Sequence, residues 1–295
     1  MCSILFKSSK KHANNDHEPE TSECSGLVES IGNSFAAAST FPKELAGQCN
    51  GNKCTVNEAC MPSGMNYYCD PLPFQLSENS APSDLRPRDC SDLPQGSCSG
   101  VYTMYLADKK FDVYCDMDTA GFGWTVFQRR SDGSENFFRD WQAYEDGFGT
   151  ILGEFWIGNK YLHILTQVPT ELRIDLEAWD GQKRYAKYSS FVIGDADSKY
   201  TLSVDGFGGN AGDGLAYHHG LKFSTHDQDN TQTSTTCAAT NKGAWWYKAC
   251  SHSSLNGEYL KTNGRADQNM GINWEKFKGD RYSLKGSSMM LRRKT

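Results

Sequence analysis

Eleven cysteines in 295 residues constrain this chain more than any other feature. None falls in a C-x-x-C spacing, so neither a zinc ribbon nor a thiol redox pair is indicated, and so many cysteines fit an oxidising compartment better than the cytosol. A disulfide framework and a secreted, extracellular protein follow. The odd count leaves at least one thiol free or bonded to a second chain; Cys2, Cys24 and Cys98 are the candidates, and a disulfide-linked homo-oligomer is one outcome. Cys49, Cys54, Cys60 and Cys69 crowd into a stretch too short to bury a core, which must be a miniature module held by cross-links.

The rest of the chain is organised around that module. Residues 1–46 begin polar (KSSKKHANNDHEPETSE) and turn weakly amphipathic (GLVESIGNSFAAASTF), the composition of a tail with one short helix at most. Residues 47–70 form the cysteine-rich module, whose Asn66-Tyr67-Tyr68-Cys69 ending resembles epidermal-growth-factor-like (EGF-like) modules; an unclassified cysteine-rich spacer is the other reading. Residues 71–86 read as a Pro-rich linker, kept extended by its prolines, and a large domain occupies 87–295. The apolar run at the start is too short for a signal peptide, so the N-terminus reads as incomplete or non-native, and no stretch approaches the ~20 apolar residues of a membrane span. With a net charge of -6 and a pI near 5.7, no basic field exists to attract nucleic acid or an anionic membrane.

Strand signals dominate from Cys90 onward. VYTMYL, FDVYCDMD and GWTVFQRR are rich in β-branched and aromatic residues and separated by turn residues. In ELRIDLEAW, Leu172, Ile174 and Leu176 alternate with Glu171, Arg173, Asp175 and Glu177, which predicts a sheet with one wet face. Helical patches are fewer: FRDWQAYEDGF, and NKYLHILTQ with Asn159 placed to cap it. Strands with a few helices to one side predict an α+β domain. After residue 205, GFGGNAGDG and polar loops with isolated tryptophans predict little regular structure.

The strings RDCSDLPQGSCSGVYT, VYCDMDTAGFGWTVFQRRSDGSENFFRDW, EFWIGNKYLHILT, FSTHDQDN, GAWWYKAC, SLNGEYL and GINWEKFKG, in this order over residues 87–295, closely resemble the fibrinogen C-terminal domain family. Ficolin-like and tachylectin-like lectins, tenascins and angiopoietins share that domain. The resemblance implies a secreted, non-catalytic recognition domain with a twisted antiparallel central sheet and a loop-rich C-terminal subdomain holding calcium and a ligand pocket, here preceded by the small cysteine-rich module. It also implies the disulfides Cys90–Cys115 and Cys237–Cys250, the second closing a loop worth about 3 kcal/mol in the chain-entropy model. Cys98 stands outside that pairing, either bonded to the N-terminal module or a second chain, or a buried thiol.

Calcium needs six to eight oxygens, with carboxylates supplying charge. STHDQDNTQTSTTC, residues 224–237, is no EF-hand: counted from Asp227, the sixth position is Gln232 and the twelfth Ala238. The family's two aspartates fall on Asp229 and Thr231, so one charge is lost, and Asp227 is left an outer role. The expectation is a weak calcium site or none, a polar turn satisfying its own backbone being the alternative.

In relatives that bind acetyl groups or peptides, the pocket adjoins the second disulfide and rests on a cis peptide, which here would be Ala249–Cys250. Carried over, the candidate ligand residues are Asn241, Tyr247, Ala249, Cys250, Ser251, Gln268 and Asn269. Ser251 replaces a frequent histidine, with His252 one position off, and the set is more polar than an acetyl pocket. Trp245 and Trp246 read as core, with Tyr247 the better wall residue.

No HExxH or GxSxG accompanies His218 and His219, GFGGNA opens no helix, and Glu145 and Asp146 lie in a solvated stretch, so an enzyme is not expected. Two readings remain. The first is a lectin of innate immunity that binds acetylated glycans or microbial surface polymers. The second is an extracellular matrix or signalling protein that binds a protein partner through this domain.

Overall fold

The computed structural model describes residues 86–294 apart from 107, 232 and 235, and upstream of them the backbone of four short strands. These are β1 (Gln48–Cys49), β2 (Asn52–Lys53), β3 (Glu58–Ser63) and β4 (Asn66–Pro71). β1 pairs with β2 and β3 with β4, both antiparallel, and the second register sets Cys60 opposite Cys69. The short helix expected in 1–46, Cys2, Cys24, Cys54 and most of the Pro-rich linker lie outside the described residues.

The large domain contributes β5 (Gly100–Leu106), β6 (Lys109–Asp116), β7 (Trp124–Arg130), β8 (Phe148–Gly149), β9 (Phe155–Trp156), β10 (Thr170–Glu177), β11 (Lys183–Ile193), β12 (Leu202–Gly209) and β15 (Gly286–Arg293) to one sheet. Its order is β12, β11, β10, β15, β7, β6, β5, with antiparallel neighbours throughout, and β9 joins β7 and β8 beside this path. The antiparallel sheet expected from the sequence is present.

On β10 the alternation places Leu172, Ile174 and Leu176 in the core. The opposite face is drier than the pattern predicts. Glu171 is buried, paired with Lys187 Nζ at 2.8 Å and with Arg292 Nε at 2.7 Å. Trp124, Val126, Phe155 and Met290 form a second apolar cluster. The Arg129 guanidinium lies 4.3 Å from the Tyr114 ring centre, and that of Arg292 lies 4.3 Å from Trp124. Arginine stems laid along aromatic surface cover it while their charged ends stay paired or wet.

Two helices flank the sheet, α1 (Trp141–Asp146) and α2 (Asn159–Leu165). Asp140 caps α1, its carboxylate accepting the Ala143 N–H at 2.9 Å. Asn159 does not cap α2. It is the first helical residue, fully buried, with no hydrogen-bond partner for its carboxamide among the described residues, and Gly158 occupies the cap. Gly158 has φ 107, and a Cβ there would strike the backbone of residues 145–147, so the turn demands glycine and displaces asparagine by one position.

Between β12 and β15, regular structure among the described residues shrinks to a 3-10 turn (Ala216–His218), α3 (Cys237–Thr240), β13 (Ser253–Ser254), β14 (Asn273–Trp274) and α4 (Glu275–Lys278). Buried rings and side-chain bonds to backbone hold this region. Trp245, Trp246 and Trp274 are fully buried in the same cluster as Phe127, Leu172 and Phe191 of the sheet. Trp246 meets Trp245 at 5.0 Å and Phe223 at 5.2 Å, both edge-on. From β7, Gln128 Nε2 donates to Leu255 O at 3.0 Å, and Arg130 Nη1 donates to Leu255 O at 3.0 Å and Gly257 O at 2.7 Å.

Arg130 is enclosed, its guanidinium 3.8 Å from the Phe137 ring centre and 3.8 Å from the Glu154 carboxylate. Burial lowers its pKa to about 10 against the pull of Glu154, so it stays charged at neutral pH. Glu154 is equally buried, and accepts the backbone N–H groups of Ser131, Asp132, Gly133 and Glu135. One carboxylate thereby replaces water for an entire turn.

Candidate functional site

The Cys237–Cys250 disulfide, with Cα atoms 5.4 Å apart, closes the loop that carries most of the predicted ligand residues; Cys90–Cys115 closes the other expected bridge at 5.5 Å. Cys98 is exposed, so the buried-thiol reading is corrected. It sits in a turn whose carbonyl receives the Tyr102 hydroxyl at 2.8 Å.

Within the loop, Trp245 and Trp246 are core as expected, and Trp246 Nε1 donates to Tyr200 O at 2.8 Å. Tyr247, expected as a wall, is only 2 % exposed. Its hydroxyl lies 3.1 Å from Ser254 Oγ, and burial pushes its pKa up to about 12. Asn241 is buried beside it. Ser251 is buried, its Oγ unpaired among the described residues, Cys250 is half-buried, and Ala249 is exposed.

The Ala249–Cys250 peptide is trans, against expectation. The turn closes through Lys248 N–H to Cys250 O at 2.9 Å, without the ~3–4 kcal/mol cost of a non-proline cis bond. Gln268 is exposed. Asn269, at φ 60, donates its N–H to Asp280 O at 2.6 Å and leaves Oδ1 buried and unpaired. Of the predicted set, Ala249 and Gln268 face solvent while Asn241, Tyr247 and Ser251 are enclosed.

The sequence leaves His218 and His219 as surface or packing residues, and His218 is a packing residue whose bonds the sequence does not show. It is fully buried, with Nδ1 2.7 Å from Trp246 O, and Nε2 accepts the N–H groups of His252 and Ser253 at 3.2 Å each. These bonds require the neutral ring protonated on Nδ1, and burial lowers the pKa to about 4. Above it, the His252 ring stacks on Tyr217 at 4.0 Å and 9°, Lys248 Nζ lies 5.3 Å from the Tyr217 ring centre, and Glu275 lies 3.7 Å from His252 Nδ1. The adjacent pair His218-His219 was the available signal, yet nothing in it distinguishes packing from surface. His219 lies at the β12 edge, its Nδ1 2.9 Å from Val204 O.

In the acidic loop, Asp227 turns toward α1. Its Oδ1 accepts the Trp141 N–H at 3.0 Å and the Thr225 hydroxyl at 2.7 Å. Partial burial alone would raise its pKa, but these bonds outweigh it and hold the carboxyl below its ordinary value. Asp229 and Thr231 are brought together by a local turn, Thr231 N–H to Asp229 Oδ1 at 2.9 Å. Among the described residues, no group of three or more His, Cys, Asp or Glu side chains is set to hold a metal ion. Glu145 and Asp146 have structural partners: Tyr200 donates its hydroxyl to Glu145, and Lys160 pairs with Asp146. A cleft of about 200 Å³, lined by Phe111, Asp112, Phe148 and Tyr161 among others, includes none of the predicted ligand residues.

Residues 86–294 match the family model described as fibrinogen beta and gamma chains, C-terminal globular domain. Angiopoietin-related protein 7 of Homo sapiens is 43% identical over 238 residues, which cover 78% of this chain and 69% of the relative; its Mus musculus counterpart is also 43% identical, covering 78% and 71%. The solved fibrinogen-like globe domain of human ANGPTL2 is 38% identical with a TM-score of 0.67, covering 71% of this chain and 100% of that one. Lamprey fibrin D-dimer, solved with the peptide Gly-His-Arg-Pro-amide, is 34% identical with a TM-score of 0.65, covering 70% and 73%.

Proposed function

Since the chain belongs to the fibrinogen C-terminal domain family, we propose that it is a secreted, non-catalytic protein whose fibrinogen-like domain docks onto an extracellular protein. This is the second of the two sequence readings. The relatives are named as angiopoietin-related proteins, and that favours it over recognition of acetylated glycans or microbial polymers. The observation that carries it is the division of the predicted ligand residues. With Asn241, Tyr247 and Ser251 enclosed, the side chains expected to line an acetyl slot are turned inward. Outside them, Tyr217, Lys248, His252 and Glu275 make a surface of stacked rings and mixed charge. Such a mixture suits a protein interface more than a sugar methyl.

Binding of the full chain to cell surfaces tests this. Binding should survive glycosidase treatment and N-acetyl sugar competition, disappear after protease treatment of the cells, and fall in Lys248→Glu. Binding to acetylated albumin that N-acetyl sugars displace would establish the lectin reading instead. On the proposed reading calcium is weakly bound at Asp229 and Thr231 or absent, since one ligand charge is missing and Asp227 is engaged with α1. Calorimetry should show no heat below roughly 10⁻⁴ M calcium, and Thr231→Asp should tighten binding.

A further inference from the structure

Two Asn-Gly pairs lie among the described residues, Asn256–Gly257 and Asn263–Gly264; a third, Asn50–Gly51, lies outside them. The pairs share one chemical property. Glycine has no side chain to shield its own backbone nitrogen, so that nitrogen can reach the carboxamide carbon of the preceding asparagine.

Both glycines are buried, but only one of the two asparagines is. Asn256 is fully buried, and its Oδ1 accepts a hydrogen bond from Gln128 Nε2 at 3.1 Å. Neither glycine distinguishes the pairs: a Cβ on Gly257 would lie 2.0 Å from Gly271 O, and one on Gly264 2.3 Å from the Tyr282 ring. Asn263 is exposed at the tip of a tight turn closed by Arg265 N–H to Thr262 O at 3.3 Å and by the Thr262 hydroxyl to Arg265 O. Asn263 at φ 53 and Gly264 at φ 94 occupy its centre, the left-handed pair of a type I′ turn. Neither the Asn263 carboxamide nor the Gly264 N–H has a hydrogen-bond partner among the described residues. The exposed cations Lys261 and Arg265 flank the tip.

We propose that Asn263 deamidates spontaneously in the folded protein. The Gly264 nitrogen bonds to Asn263 Cγ and gives up its proton; the Cγ–Nδ2 bond breaks, and Nδ2 leaves as ammonia. Water then opens the cyclic imide at either carbonyl, yielding aspartate or isoaspartate. One water is consumed and one ammonia released, with no oxidant or cofactor. Ring closure requires the Asn263 backbone to leave its left-handed turn. That opening disturbs the two bonds between Thr262 and Arg265 and the one from Ser283 N–H to Gly264 O, whereas exposing Asn256 means detaching its whole segment from β7.

The product matters for the surface nearby. Isoaspartate inserts an extra carbon into the main chain of a turn tied to its neighbour by the Arg265–Tyr282 bridge and by Ser283 N–H to Gly264 O at 3.0 Å. It also places a carboxylate between Lys261 and Arg265. The segment so loosened, residues 262–283, carries Gln268 and Asn269.

The full chain, incubated at body temperature and mildly alkaline pH in heavy-oxygen water and then peptide-mapped, tests this. Label should enter the Asn263 peptide at least about tenfold faster than the Asn256 peptide, and isoaspartate methyltransferase should modify the former. In denaturant the two rates should converge. Equal rates in the folded protein, or no conversion of Asn263 while denatured chain converts, would overturn the proposal. Asn263→Gly, which suits the positive φ and lacks the carboxamide, should keep hydrogen-exchange protection over 262–283 on ageing where the parent loses it. Equal loss in both would remove the link to loosening.

Discussion

The central sheet and the loop-rich region after β12 bury aromatic rings in a single cluster but are held by different means. On β10, one register with β11 and β15 positions Leu172, Ile174 and Leu176 together, and no single bond is decisive. Beyond β12, each segment has its own tie: the Cys237–Cys250 bridge, the Arg130 and Gln128 bonds to 255–257, and the His218 bonds to 246, 252 and 253. Stability is spread in the sheet and concentrated in the loops. Point changes should therefore be larger and more local in the second region.

The largest effect is expected at Arg130, which joins the two. Arg130→Met should cost roughly 3–5 kcal/mol in denaturant unfolding, because it leaves Glu154 buried without its cation and takes the side-chain donor from Gly257 O, while Leu255 O keeps its bond from Gln128. Arg173→Met, at a partly exposed pair on the sheet's outer face, should cost no more than about 1 kcal/mol. Equal losses would abolish the contrast. Replacing Cys237 and Cys250 together by serine should cost about 3 kcal/mol. Hydrogen exchange should then quicken over 224–285 while β5–β11 stay protected; a uniform rise would show one cooperative unit.

Acid probes His218. Its pKa of about 4 lies below the ordinary 6.5, so between those values the unfolded chain binds a proton that the folded protein refuses. The contribution to stability is complete above pH 6.5 and declines as pH falls, with about 2 kcal/mol gone by pH 5. Chemical denaturation across that window checks the slope, and His218→Gln should flatten it; an unchanged slope would assign it to other groups. Among the changes beyond β12 the smallest is Asp227→Ala, which removes the acceptor for the Trp141 N–H and should cost about 1 kcal/mol, read as fraying of α1.

The strands VYTMYL, FDVYCDMD, GWTVFQRR and ELRIDLEAW were legible because a period of two is written locally. What was hidden depends on distant partners. The wet-face reading of Glu171 failed because its partner Arg292 lies 121 positions away. Tyr247 looked like a wall because the family pattern fixes its place in the chain, whereas its burial is set by packing around Ser254 and Asn241. The Asn159 cap was missed by one residue because the backbone approach that requires Gly158 involves residues 145–147. The position of the second disulfide was thus legible, but which of the candidate residues beside it face solvent was not.

β15 is the last strand in chain order, yet it lies in the middle of the sheet, between β10 and β7. A ribosome making this protein delivers those two strands early and the strand that joins them only after the whole loop-rich region has been synthesised. Until then both present unpaired edges, each a template for mispairing with another nascent chain. Translation speed and chaperone cover during that interval therefore belong to the folding problem of this domain as much as any contact in the finished structure.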